Sequence, residues 1–293
     1  MTELMYQVST GARKKRVLRI PQSHTLYISP NSCARRQGIR ALKNDIGSHV
    51  SFLKLSEADV ATGAYEEQIK TSIKRVLEEI VPRPHVLILS VNCIDDFLGT
   101  DFRALICNLS AEYPEVHFML SRINPISDDV KTGKVQRIQK NLYSLLQPTK
   151  NHDKGITLIG AFEPISSNCE LLEILAMCRV EPIRYLFDCE TFDDYLSLSK
   201  SSLAISLSLL GDALLDDFHH NLGMKIQKWP TTWDVDEMEK RYCELLTLLD
   251  FADISASTAR LIENQLATEK QRTCEVIQEA LTVVGDRPLV VDT

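Results

Sequence analysis

No apolar run in this 293-residue chain approaches the roughly 18 residues a membrane-spanning helix requires, and the N-terminus lacks the apolar stretch of a secretion signal. A cytoplasmic protein without membrane association is therefore expected. The eight cysteines include no C-x-x-C pair and are too dispersed for a small disulfide scaffold. No G-x-x-x-x-G-K-[ST] loop occurs, so the chain itself is not expected to hydrolyse a nucleotide. Nor is there an excess of positive charge. The formal net charge is −7 with both signs interspersed, which argues against a nucleic-acid partner. The one basic run, Arg13-Lys14-Lys15-Arg16, reads as a solvated arm over residues 1–16 rather than a phosphate site.

What is present is an alternation of strands and helices. The stretch from His85 to Arg103, HVLILSVNCIDDFLGTDFR, organises the rest: Val86 to Val91 is a bounded apolar run of the kind that forms a buried parallel strand. It stops at Asn92-Cys93 and passes through a loop, Ile94 to Gly99, to a helix carrying Phe102, Leu105, Ile106 and Leu109, with Thr100 as the expected cap. Ligands in open α/β sheets bind at the carboxyl ends of strands, so Cys93 stands where a site is expected. Asp95, Asp96 and Asp101 could orient a ligand or protonate a substrate; capping and solvating the loop is the simpler role.

Upstream, Val17-Leu18-Arg19-Ile20 and Thr25-Leu26-Tyr27-Ile28 read as extended segments, the second leading into Ser29-Pro30-Asn31-Ser32-Cys33. A helix from Tyr65 to Ile80 shows an apolar stripe at Ile69, Ile73, Val76, Leu77 and Ile80. Val116 to Leu120 is a further strand, followed by Asn124 to Asp129, the turn Thr132-Gly133-Lys134 and a helix bearing Val135, Ile138, Leu142, Leu145 and Leu146. The polar stretch from Gln147 to Gly155 marks a domain boundary. A second alternation then runs from Ile156 to Trp229, and the chain from Asp234 is helical to about Val284. The expected architecture is α/β: two Rossmann-like parallel-sheet domains with helices on both faces, over residues 17–150 and 151–252. A helical segment over 253–293 follows, ending in one strand, Pro288 to Thr293, of a third domain that is essentially missing.

Cys93-Ile94-Asp95-Asp96-Phe97-Leu98-Gly99-Thr100-Asp101 resembles a cysteine-containing segment of the nitrogenase component 1 type oxidoreductases, which include protochlorophyllide reductases and cofactor scaffold proteins. The approach is similar too: Glu57-Ala58-Asp59-Val60 through Gly63, then a helix and Pro82-Arg83-Pro84-His85. The loop Ser29 to Cys33 resembles the family's His-Gly-Pro-x-Gly-Cys, with Pro30 and Cys33 in place and Ile28, Ser29 and Ser32 where His, Gly and Gly stand in relatives. Leu222-Gly223-Met224-Lys225 falls where relatives read Phe/Tyr-Gly-Ile/Val-Pro.

The resemblance implies a redox subunit in which Cys33 and Cys93 ligate an iron-sulfur cluster. Catalytic relatives place a further cysteine upstream of the first loop; this chain has none. A 4Fe-4S cluster normally takes four protein ligands, so it would be shared between subunits, in a homodimer or with a paralogous component 1 subunit. Electrons would come from a separate ATP-dependent iron protein. Around Leu207, where relatives holding an iron-molybdenum cofactor have a cysteine, there is neither Cys nor His, so that cofactor is not expected. The alternative is an assembly or scaffold protein, or a metal-free interaction module, that keeps the fold without the full cluster site. Cys107, Cys169, Cys178 and Cys189 are read as structural, and His219-His220 as a solvated pair that diverges on a helix.

Overall fold

The computed structural model describes residues 18–63, 65–123, 134–161, 165–166, 169–229, 232 and 234–285. The basic run Arg13 to Arg16, the segment Asn124 to Asp129, the turn residues Thr132-Gly133 and the terminal segment Pro288 to Thr293 lie outside the described residues. The chain divides into two compact units.

The first unit contains β1 (Ser23–Pro30), α1 (Asn31–Lys43), β2 (Val50–Leu55), α2 (Glu57–Thr62), α3 (Tyr65–Glu79), β3 (Val86–Asn92), α4 (Cys93–Leu98), α5 (Phe102–Glu112), β4 (His117–Ile123) and α6 (Lys134–Tyr143). The strands form one parallel sheet in the order β2-β1-β3-β4. Because side chains alternate along a strand, β1 sends Leu26 and Ile28 to one face and β3 sends Leu87, Leu89 and Val91 to the same face. There they form a core with Ile69, Ile73 and Leu77 of α3 and Phe102 and Leu109 of α5. Full burial of each such aliphatic side chain contributes about 1.5–3 kcal/mol. The opposite face is more polar, with Thr25, Tyr27, Ser90 and Ser121 exposed to a cavity beneath α1 and α6.

Two local features differ from the sequence expectation. Leu18 to Ile20 join no strand, although Ile20 is fully buried. The strand β2 and the helix α1 carry too weak a pattern to be read: α1 buries only Ala34 and Ala41, and four of the six β2 positions are half-buried in sequence.

The second unit holds β5 (Asp153–Ile159), α7 (Glu170–Met177), β6 (Ile183–Tyr185), β7 (Ser201–Ser206), α8 (Leu209–His220), β8 (Lys225–Lys228), α9 (Val235–Leu248) and α10 (Ala256–Val284). Its parallel sheet runs β6-β5-β7-β8. Ile156, Leu158, Leu203 and Ile205 pack with Leu171, Ile174 and Leu175 of α7. Trp229 meets Tyr242 of α9 edge-on at 4.7 Å, and Ile262 and Leu266 of α10 complete that core.

Cys189 to Leu196 belongs to the first unit. The aromatic ring of Phe192 explains why: it stacks on His85 at 5.6 Å and meets His117 at 5.1 Å, while its N–H donates to Gln22 Oε1 at 2.8 Å. The hydroxyl of Tyr195 also accepts from the Leu145 N–H at 3.3 Å.

Candidate functional site

In the order β2-β1-β3-β4 the chain builds to one side of β1 and then to the other, so the topology switches between β1 and β3. A crevice opens at the carboxyl ends of two such strands. Their register runs from Ser23 opposite Val86 to Ile28 opposite Val91. One position further along each strand stand Ser29 and Asn92, and then both chains turn away. Cys33 is the third residue of α1, which starts directly after β1, and Cys93 is the first residue of α4, which starts directly after β3. Thus the two cysteines follow neighbouring strands. Cys33 is exposed and Cys93 partly buried.

Neither cysteine sits in the extended loop expected from sequence. Pro30, at φ −59° and ψ 161°, ends β1 and leads straight into α1. Its ring fixes φ near this value. Asn92 makes the corresponding turn after β3, where its Oδ1 accepts the Ile94 N–H at 3.1 Å. The expected loop after Cys93 is helical through Leu98 and closes at Gly99, whose φ of +65° suits a residue without Cβ. The cap of α5 is Asp101 rather than Thr100: the Asp101 carboxylate accepts from the Ala104 N–H at 2.9 Å. Thr100 instead uses its hydroxyl on Tyr65 at the start of α3. On the same rim, Ser56 and Asp59 form a reciprocal capping box on α2, and Asp59 accepts from Gln68 at 2.6 Å.

Ser29 and Asn92 are the residues that sequence reasoning missed. Ser29 is buried, and neither its Oγ nor Asn92 Nδ2 has a hydrogen-bond partner among the described residues. Leaving a buried polar group unpaired costs about 1–3 kcal/mol. Both atoms can donate, and both lie at the switch point, so an electron-rich acceptor placed there would satisfy them. Only the strand register shows that they are neighbours.

Among the described residues, no group of three or more His, Cys, Asp or Glu side chains converges as a metal site. Two thiols that follow the carboxyl ends of β1 and β3, with the unpaired donors of Ser29 and Asn92 at those strand ends, are groups of the kind that would suit an iron-sulfur cluster, of whose usual four protein ligands two thiols would make half. The other thiols offer no second candidate. Cys107, Cys243 and Cys274 are exposed, while Cys169 and Cys178 are buried within the second core, where burial raises the Cys178 thiol pKa. His219 is held by its own turn, with Nδ1 3.0 Å from the Met224 carbonyl.

The second sheet has its own switch point, between β5 and β7. Here the protein fills the crevice with its own atoms. The Ser208 hydroxyl donates to the Gly160 carbonyl at 2.9 Å and caps α8 by accepting from the Gly211 N–H at 3.3 Å. A Cβ on Gly160 would lie 2.6 Å from Ser208 Oγ and 3.0 Å from Gly211 Cα. Leu207, buried, donates its N–H to Ile159 at 2.9 Å.

A model of the family described as nitrogenase component 1 type oxidoreductase matches residues 11–291. The chain belongs to that family. Two solved structures of this nitrogenase component 1 class share its fold. The one described as nitrogenase Cp1 at pH 6.5 is 13% identical with a TM-score of 0.55, covering 87% of this chain and 63% of its own. The one described as nitrogenase Cp1 at pH 5 is 15% identical with a TM-score of 0.58, covering 92% of this chain and 54% of its own. The chain thus spans between one half and two thirds of the length of these two structures. No curated protein matches it.

Proposed function

We propose that the chain is a component 1 type redox subunit in which Cys33 and Cys93 supply half the ligands of a 4Fe-4S cluster, the other half coming from a second subunit. The observation that carries this reading is the placement of both cysteines after the adjacent strands β1 and β3, beside the unpaired donors of Ser29 and Asn92. Family membership supports it. When bound, such a cluster supplies one-electron transfer at a potential set by burial and by hydrogen bonds to sulfur. The protein's own contribution is orientation: Pro30 and the Asn92 turn fix where the two thiols leave the sheet, and the two donors place N–H and O–H groups against negative charge. The reductant would be a separate ATP-dependent iron protein, and the setting cytoplasmic.

A cluster carrier without turnover is the second reading. It is favoured by Ser29 and Ser32, which put Cβ atoms where relatives have glycine, and by the absence of a third ligand among the described residues. Anaerobic purification with iron and sulfide analysis tests both. The expected result is iron-sulfur absorption that C33A or C93A abolishes; unchanged spectra in both variants would remove these residues from the site. Reductant plus iron protein then separates the two, since a bound cluster without turnover marks the carrier.

A further inference from the structure

The helix α1 begins directly after β1, so its first turn stands at the carboxyl edge of the first sheet. It lies over the polar face of that sheet. A Cβ on Gly38 would come 3.8 Å from Phe52 Cζ, and Phe52 stacks on Tyr27 of that face at 5.4 Å. No side chain caps the helix, and Pro30 carries no N–H of its own. The N–H groups of Asn31, Ser32 and Cys33 therefore have no partner within the helix, and all three residues are exposed.

Beneath that turn the sheet presents a row of donors. Ser29 lies opposite Lys54 of β2, and one step beyond the pair Ile28 and Val91 it stands beside Asn92 of β3. Residues opposite one another on neighbouring strands share a face, and the period of two puts Ser29 and Lys54 on the face of Tyr27 and Phe52, under α1. Ser29 is 5% exposed and its Oγ has no partner among the described residues. Asn92 uses Oδ1 on the Ile94 N–H, which leaves Nδ2 as an unpaired donor. Lys54 is exposed and forms no ion pair among the described residues. Backbone N–H groups at a helix start, a hydroxyl, an amide and an ammonium thus converge with no carboxylate among the residues that supply them. Helix starts favour negative charge, and the three terminal oxygens of a phosphate group use more of these donors than the two of a carboxylate.

We propose that the start of α1, with Ser29, Asn92 and Lys54, binds the phosphate group of a small phosphorylated ligand. A phosphate there needs neither thiol, so this site goes beyond the cluster reading, although both would use Ser29 and Asn92. Inorganic phosphate is the probe, titrated calorimetrically into the iron-free full chain in dilute chloride buffer, with acetate as the carboxylate comparison. Saturable binding of phosphate and none of acetate is expected. S29A should weaken it by about tenfold, and K54Q by about fivefold, since one bond or charge is lost in each. N92D keeps the acceptor for the Ile94 N–H but puts negative charge where the donor was, and should abolish binding at millimolar phosphate. Lys54 is exposed, so K54Q decides together with S29A if N92D does not fold. No saturable heat from phosphate at millimolar concentration, equal binding of acetate, or undiminished binding in folded S29A and K54Q would overturn the assignment. None of these results touches the iron-sulfur absorption of anaerobically purified protein, so the two readings fail separately.

Discussion

At the scale of single residues, the buried polar side chains carry most of what can be tested. His24 is 4% exposed, its Nε2 2.8 Å from Ser51 Oγ, and burial followed by the proximity of His49 lowers its pKa from 6.5 to about 4. The folded protein therefore holds His24 neutral between pH 6.5 and about 4 while the unfolded chain binds a proton. Stability should be insensitive to His24 above pH 6.5 and fall as pH drops through that window, by on the order of 2 kcal/mol. His49 adds to the loss in the same direction. Urea midpoints at pH 7.5 and 5 check this, and H24N should shrink the difference. Ser29 gives a prediction of opposite sign. Removing an unpaired buried hydroxyl relieves a desolvation cost, so S29A in iron-free protein should gain about 1 kcal/mol. A measured loss of that size would mean that Ser29 has found a partner.

At the scale of elements, the end of β5 and the start of α8 approach each other closely. Gly160 has φ +82° and Gly211 lies against it, so G160A meets both backbone strain and a clash with Ser208 Oγ. A loss of about 2–4 kcal/mol is expected from these together. S208A removes a helix cap and the bond to Gly160, costing about 1–2 kcal/mol. Because the added methyl of G160A meets the hydroxyl that S208A removes, the double variant should be less destabilised than the sum of the two. A thermal double-mutant cycle reads this coupling; strict additivity would show that Ser208 yields freely. The same element also explains a failure of sequence reading. The glycine-serine contact depends on residues 48 positions apart, and nothing in the local pattern announces it.

At the scale of the whole molecule, the two units each own a sheet and a core. Under the proposed reading, two thiols from one chain would make cluster retention a property of an assembly. If the cluster bridges two subunits, anaerobically isolated protein should sediment as a pair and fall to single chains once iron is removed by oxidant and chelator. Sedimentation velocity before and after treatment measures this, and a pair that persists without iron would show that protein contacts alone hold it. C93A should behave as the iron-free form without any treatment.

The class of fold is legible in the amino-acid pattern alone, because period-2 and period-3.6 patterns arise from local backbone geometry and are strong in β1, β3, α3 and α5. The pattern also showed Cys33 and Cys93 as thiols at the ends of strands, since a bounded apolar run announces its own terminus. It did not show α1 or β2, whose half-buried residues are set by what lies over them. That Ser29 and Asn92 end adjacent strands, and that both cysteines stand in the first turn of a helix, follow from the three-dimensional arrangement alone. Strand order and register bring together positions that are distant in the chain, and no local periodicity encodes which strand lies beside which.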